Sequence, residues 1–158
     1  MTHPRMYDDR DPCLAQVRIV AARFPESSEV ESWGRPTFRA GRRIFAAFGT
    51  QASPHGLVLR PDEDERAALV GDPRFSAPPY YGPAGWLALD LDAAPVDWDE
   101  VAELLEDSYR QVALRRMVRE LDARATRLRN ESPASEPSTQ RLPPTAQHDL
   151  SIPPLNGS

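Results

Sequence analysis

The chain has 158 residues, of which 40% are apolar and 27% charged, and its formal net charge is −5. That length points to one domain. No apolar run approaches the roughly 18 residues of a membrane span, and MTHPRMYDDRDP at the start lacks the apolar core of a secretory signal, so a cytoplasmic protein is expected. A single cysteine excludes an internal disulfide framework and a cysteine-cluster zinc site. All 19 basic residues are arginine, which excludes chemistry that needs a lysine amine, such as a Schiff base or a P-loop.

Asp11-Pro12 reads as an N-cap followed by proline at the first helical position. Leu14, Val17, Val20, Ala21 and Phe24 then recur at helical spacing until Pro25. RPTFRA and GRRIFAAFG alternate as two strands, with Gly41 at a tight hairpin turn. GLVLR, from Gly56 to Arg60, is a third short strand. PDEDERAALVGD is a short helix with acids in its first turn and Gly71 as its stop. DPRFSAPPYYGPAG is an irregular proline-rich connection with room for one irregular strand. GWLALDLD is a clear strand, with Leu87, Leu89 and Leu91 on one face. A final helix follows Asp97, with apolar positions from Val101 to Leu121.

This order, α-β3-α-β2-α, predicts a two-layer α+β fold: an antiparallel sheet with helices on one side, spanning residues 8–128. Residues 129–158 are rich in proline, serine and threonine without apolar periodicity, and are expected to form a disordered tail.

Charge is unevenly distributed. No acid occurs between Ser32 and Pro61, where Arg35, Arg39, Arg42, Arg43 and Arg60 give a local charge of +5, so the rest of the chain carries −10. Trp33, Phe38, Phe45 and Phe48 are interleaved with this basic block. An arginine-bearing β-ribbon suits a nucleic-acid backbone, because the planar guanidinium pairs with phosphate in a bidentate way. The alternative is solvated strand charges paired with the acidic helices. The last helix runs from six acids in residues 97–107 to seven arginines in residues 110–129, which matches its dipole.

Trp33, Tyr80, Tyr81 and Trp86 flank loops rather than a helix stripe. They are candidates for a ligand or base-stacking surface, or for closing the open end of the core. No catalytic constellation emerges. The three histidines are scattered, Cys13 has no histidine near it in sequence, and the DEDE run at 62–65 is explained by a helix start. No enzyme, cofactor or metal site is expected.

The segments SWGRPTFRAGRRIFAAFG, GLVLRPDEDERAAL, DPRFSAPPYYGPAGWLALDLD and VDWDEVAELLEDSYRQVA, in this order, resemble the MmcQ/YjbR family over about residues 10–121. The combination is specific, although each piece alone is weak. The resemblance implies a small α+β fold related in shape to secretion chaperones and described as a double-wing DNA-binding type, with no catalytic residues to carry over. It places the wings on the acid-free stretch, which makes Arg35, Arg39, Arg42 and Arg43 the expected nucleic-acid contacts. The chain departs from its relatives at Leu114, where many carry proline, which predicts a less broken last helix. It departs again at Ala84, where relatives often carry a basic residue. DNA is the expected partner. The alternative is an interaction module that holds a protein segment or a flat small molecule on the sheet face and its aromatics.

Overall fold

Asp11 and Pro12 open α1 (Pro12–Ala21): the Asp11 carboxylate accepts the Cys13 N–H at 2.8 Å, and proline's missing N–H has no partner to lose at this position. In this computed structural model, residues 3–78 and 84–131 are described. The chain continues through β1 (Ser27–Ser32), β2 (Arg35–Ala40), β3 (Arg43–Phe48) and β4 (Gly56–Leu59). It is completed by α2 (Glu63–Leu69), β5 (Phe75–Ser76), β6 (Leu87–Asp90), α3 (Trp98–Val112) and α4 (Arg115–Asn130). The six strands form one antiparallel sheet in the order β1-β2-β3-β4-β6-β5, and α1 and α3 belong to the layer packed on it. The fold is α+β. Among the described residues no helix is long and apolar enough to cross a membrane.

Two differences from the sequence reading have physical causes. β1 is absent from the sequence reading, because SSEVES carries one apolar side chain and is exposed from Ser28 to Glu31. It is an edge strand held by its ladder with β2 and by the Thr37 hydroxyl, which donates to the Val30 carbonyl at 2.5 Å. Its turn is Trp33-Gly34, with φ of 52° and 79°, the all-positive pattern that matches strand twist in two-residue hairpins. A Cβ on Gly34 would lie 2.1 Å from the Pro4 carbonyl oxygen, so only glycine allows the N-terminal segment to lie on this turn.

The second difference is the last helix, which breaks at Ala113 (ψ 152°) despite the leucine at position 114. The buried stripe of α3 is Val101, Leu104, Leu105, Ser108, Tyr109 and Val112. One more turn in phase would carry Arg115 and Arg116 into the core. The break resets the phase, and Met117 is buried instead.

The chain divides into two units, Met1–Leu121 and Asp122–Ser158. The described part of the second is the last stretch of α4 and Glu131. The tail predicted from residue 129 lies, beyond residue 131, outside the described residues.

The sheet's two faces are separated by strand alternation and one bulge. Phe38, Ala46, Leu59 and Leu87 form one cross-strand row, and Phe48, Leu57, Leu89 and Phe75 another, all within the core. Phe38 opposes Ala46 while Arg39 opposes Ile44, so Phe45 is an extra residue on β3. The bulge turns Phe45 into the core, where its ring meets Tyr109 edge-on at 5.4 Å and Phe24 at 5.7 Å. A bulged residue loses its ladder partner. Here the Ser108 hydroxyl, fully buried on α3, donates to the Phe45 carbonyl at 2.5 Å and accepts the Arg60 N–H at 2.8 Å. The neighbouring Tyr109 hydroxyl donates to the Pro25 carbonyl at 2.7 Å.

Replacing Ser108 by alanine strands a buried acceptor and releases Arg60. The expected cost is about 1–3 kcal/mol, read as a lower urea midpoint with an unchanged slope. A midpoint equal to wild type would show that the bulge stands without α3.

Candidate nucleic-acid interface

The face of the sheet opposite the core carries Thr37, Ala47, Val58 and Ala88 as one cross-strand row, none of them in the core cluster. Arg39 alternates with the core residues Phe38 and Ala40 and so shares this face with its partner Ile44. The Leu59↔Leu87 pair ends the β4–β6 ladder, and the next residues outward are Arg60 and Trp86. Together these elements border a groove of about 360 Å³. Four arginines stand around it: Arg39 from β2, Arg42 from the β2–β3 turn, Arg43 from β3 and Arg60 after β4. Gly41, with φ of 61°, makes the tight turn that presents Arg42. Trp86, Ile44 and Val58 supply the apolar lining.

The groove arginines differ in their surroundings from Arg18, Arg74 and Arg116. Arg18 is clamped by Asp9 and Glu29, Arg74 by Asp72 and Glu100, and Arg116 by Glu26. Hydrogen bonds to Glu29 and Glu100 drive the Arg18 and Arg74 guanidinium pKa values further above their ordinary range. Among the described residues, no carboxylate lies within ion-pair distance of Arg39, Arg42, Arg43 or Arg60. Arg39 donates to the Ser32 hydroxyl at 3.0 Å, and its Nε is buried without a partner, a condition shared among the described residues only by Arg66 on α2.

Three of the four arginines expected from the sequence are therefore brought to one groove, and Arg35 is not. Arg35 starts β2, about 13 Å along the strand from Arg39 at the usual rise. Its guanidinium packs on Gly49, within 2.7 Å of where a Cβ would stand. Arg60 takes its place, although it lies 17 residues or more from the other three in sequence. The Arg60 backbone is positioned by Ser108, a contact that no local pattern announces. Of the four aromatic candidates, Trp86 lines the groove, and Trp33 sits at the β1–β2 turn, 60% exposed with φ of 52°. Tyr80 and Tyr81 lie outside the described residues.

His55 enters a cluster that the sequence did not reveal. Its Nε2 lies 2.6 Å from Asp11 and its Nδ1 lies 2.9 Å from Asp92, which ties the start of α1 to the turn after β6. The hydrogen bond to Asp92 is the main reason the imidazole pKa is raised; burial opposes it and the bond to Asp11 adds to it. Burial works against the Asp11 carboxylate, but hydrogen bonds from His55 and the Cys13 N–H outweigh it and hold its pKa low. The Cys13 thiol is pushed up to about 11, chiefly by burial and also by Asp11 and Asp92, so it stays protonated at neutral pH. Among the described residues no group of three histidine, cysteine or acidic side chains is placed to hold a metal ion.

A family model described as YjbR matches residues 22–111, the stretch that holds the tryptophan-glycine and glycine-tryptophan motifs. The crystal structure of Deinococcus radiodurans protein DR2400, with family-model domain DUF419, has a similar fold. Its TM-score is 0.56 at 21% identity, covering 69% of this chain and 87% of that chain. No curated protein matches the chain.

The carboxylate–histidine–carboxylate clamp makes stability depend on pH. The raised His55 value adds stability that is complete below the unfolded pKa of about 6.5 and is lost as pH rises through the folded value. The lowered Asp11 value adds stability that is present above about 3.9 and is lost as pH falls through its folded value. Between those limits wild type is expected to melt above His55→Gln, and the gap in Tm narrows as the solution becomes alkaline. A gap that stays constant from weakly acidic to alkaline pH would overturn this role.

Proposed function

We propose that this chain, which belongs to the YjbR family, binds DNA without catalysing a reaction, using Arg39, Arg42, Arg43 and Arg60 on the phosphates. The observation that carries this reading is the gathering around one groove of four guanidinium groups that, among the described residues, have no carboxylate within ion-pair distance, in a chain whose net charge is −5. An acidic protein that gathers such cations around one groove concentrates positive potential there. The double-wing DNA-binding type implied by the sequence resemblance supports it from a separate direction.

The absence of a catalytic role fits the chemistry of the best alternative centre. Both ring nitrogens of His55 face carboxylates and the Cys13 thiol is protonated, which leaves neither free to act on a substrate. The charge of −10 outside the basic stretch repels a polyanion from the remaining surface, so affinity is modest and orientation is selective.

Four phosphate contacts give a slope of roughly −3 to −4 in log K against log salt. Replacing Arg39, Arg42 and Arg43 together by alanine is expected to abolish retention on a DNA column at low salt, whereas Arg35→Ala leaves it unchanged. Retention of the triple variant equal to wild type would overturn the assignment.

A further inference from the structure

β1 ends the sheet on one side, so one line of its backbone has no strand beside it. The Gly41 N–H donates to the Glu26 carbonyl at 3.1 Å, one step before the Ser27↔Ala40 pair, and this fixes the phase of the ladder. Residues 28, 30 and 32 turn their N–H and C=O groups to β2, and residues 27, 29 and 31 turn theirs outward. The Ser27 N–H donates to the Phe24 carbonyl. Among the described residues, the backbone N–H and C=O groups of Glu29 and Glu31 meet no partner. Sheet edges are ordinarily guarded by proline, a bulge, a very short strand or unpaired charge. β1 has six residues, no proline and a one-to-one register with β2. Its two acids are neutralised from within the chain. Arg18 holds Glu29 through two hydrogen bonds of 2.8 Å, while Arg5 at 3.4 Å and the Tyr7 hydroxyl at 2.8 Å hold Glu31. The opposite edge strand, β5, has only two residues.

From this edge we infer that two copies of the chain pair antiparallel through β1, joining two six-stranded sheets into one of twelve strands. Outward backbone groups must face outward groups, so Glu29 and Glu31 oppose each other or themselves. The register with Glu29 opposite Glu31 of the second copy sets Val30 against Val30 on the two-fold axis and Ser28 against Ser32. Val30 is the one apolar side chain of the strand and is 39% exposed. It falls at a non-hydrogen-bonded position, where opposed side chains come closest, so the pair shields both from water. On the other face the Arg18–Glu29 pair of one copy adjoins the Arg5–Glu31 pair of the next, which brings each carboxylate near a second guanidinium. The neighbouring register, Glu29 against Glu29, sets Val30 against Ser28 and is the poorer match. The strand thus complements itself in backbone, apolar contact and charge, which selects a second copy over a strand of unrelated sequence. Val30 opposes Thr37, so it stands on the sheet face that carries Arg39 and Ile44, and the dimer turns both such faces the same way. The inference does not depend on the DNA reading.

Light scattering on the full chain over a dilution series tests this. The wild-type mass is expected to pass from one chain to two as concentration rises, because one strand pair is a small interface. Over the same series, hydrogen exchange followed by NMR is expected to slow at the Glu29 and Glu31 amides and to stay unchanged at Ser28 and Val30, whose N–H groups already face β2. Both readouts use the wild-type chain and so do not depend on a variant folding. Val30→Lys and Val30→Glu, both at an exposed position, are each expected to remain monomeric, since like charges then oppose each other on the axis. Mixed in equal amounts, the two variants are expected to restore a dimer. A wild-type chain that stays monomeric throughout the series would overturn the inference and leave the edge to a strand of another protein. A dimer that survives both substitutions, or that forms without protecting the Glu29 and Glu31 amides, would overturn it in favour of a different contact between copies. Retention on DNA is read in a separate measurement, so failure of the dimer and failure of the DNA reading are told apart.

Discussion

The structure turns on the buried hydroxyl of Ser108. A β-bulge on a central strand leaves a carbonyl without a ladder partner, and inside a core that deficit costs more than an ordinary hydrogen bond returns. Ser108 meets the Phe45 carbonyl from the helix side and takes the Arg60 N–H in the same step. Serine in mid-helix usually bonds back to its own helix or points to solvent; here it fastens α3 to two strands. The bulge in turn permits Phe45 and Ala46 both to reach the core, and it sets Arg39 and Ile44 together on the opposite face. Core packing and groove architecture are two consequences of one extra residue on β3.

Electrostatics follow a similar division of labour. Arginines that join elements are held by carboxylates: Arg18 spans from α1 to β1, and Arg74 reaches α3. Among the described residues the groove arginines have no carboxylate within ion-pair distance, and Arg39 instead bonds the Ser32 hydroxyl on β1. The His55 clamp belongs to the first group. It closes the α1 start against the β6 turn, and it uses both faces of the imidazole to do so. The carboxylate-held arginines and the groove arginines thus occupy different places in the fold.

The sequence by itself determined the α+β class, most of the strands, the first helix with its Asp11-Pro12 start, the Gly41 turn and the basic character of the β2–β3 hairpin. Those features are local: alternation, capping and turn chemistry act over a few residues, and leucines 87, 89 and 91 announce a buried face without help from the rest of the chain. Tertiary structure alone decided the rest. β1 exists because β2 offers it a ladder, not because SSEVES prefers to be extended. The last helix breaks at Ala113 because the phase of its buried stripe would otherwise bury Arg115 and Arg116. Arg35 and Arg39 look equivalent in the sequence, yet strand length carries them to different ends of β2. Arg60 and Trp86 meet because β4 and β6 pair, and His55 finds Asp11 and Asp92 across 44 and 37 residues. Each of these depends on contacts between distant segments, whose free energy no local pattern records.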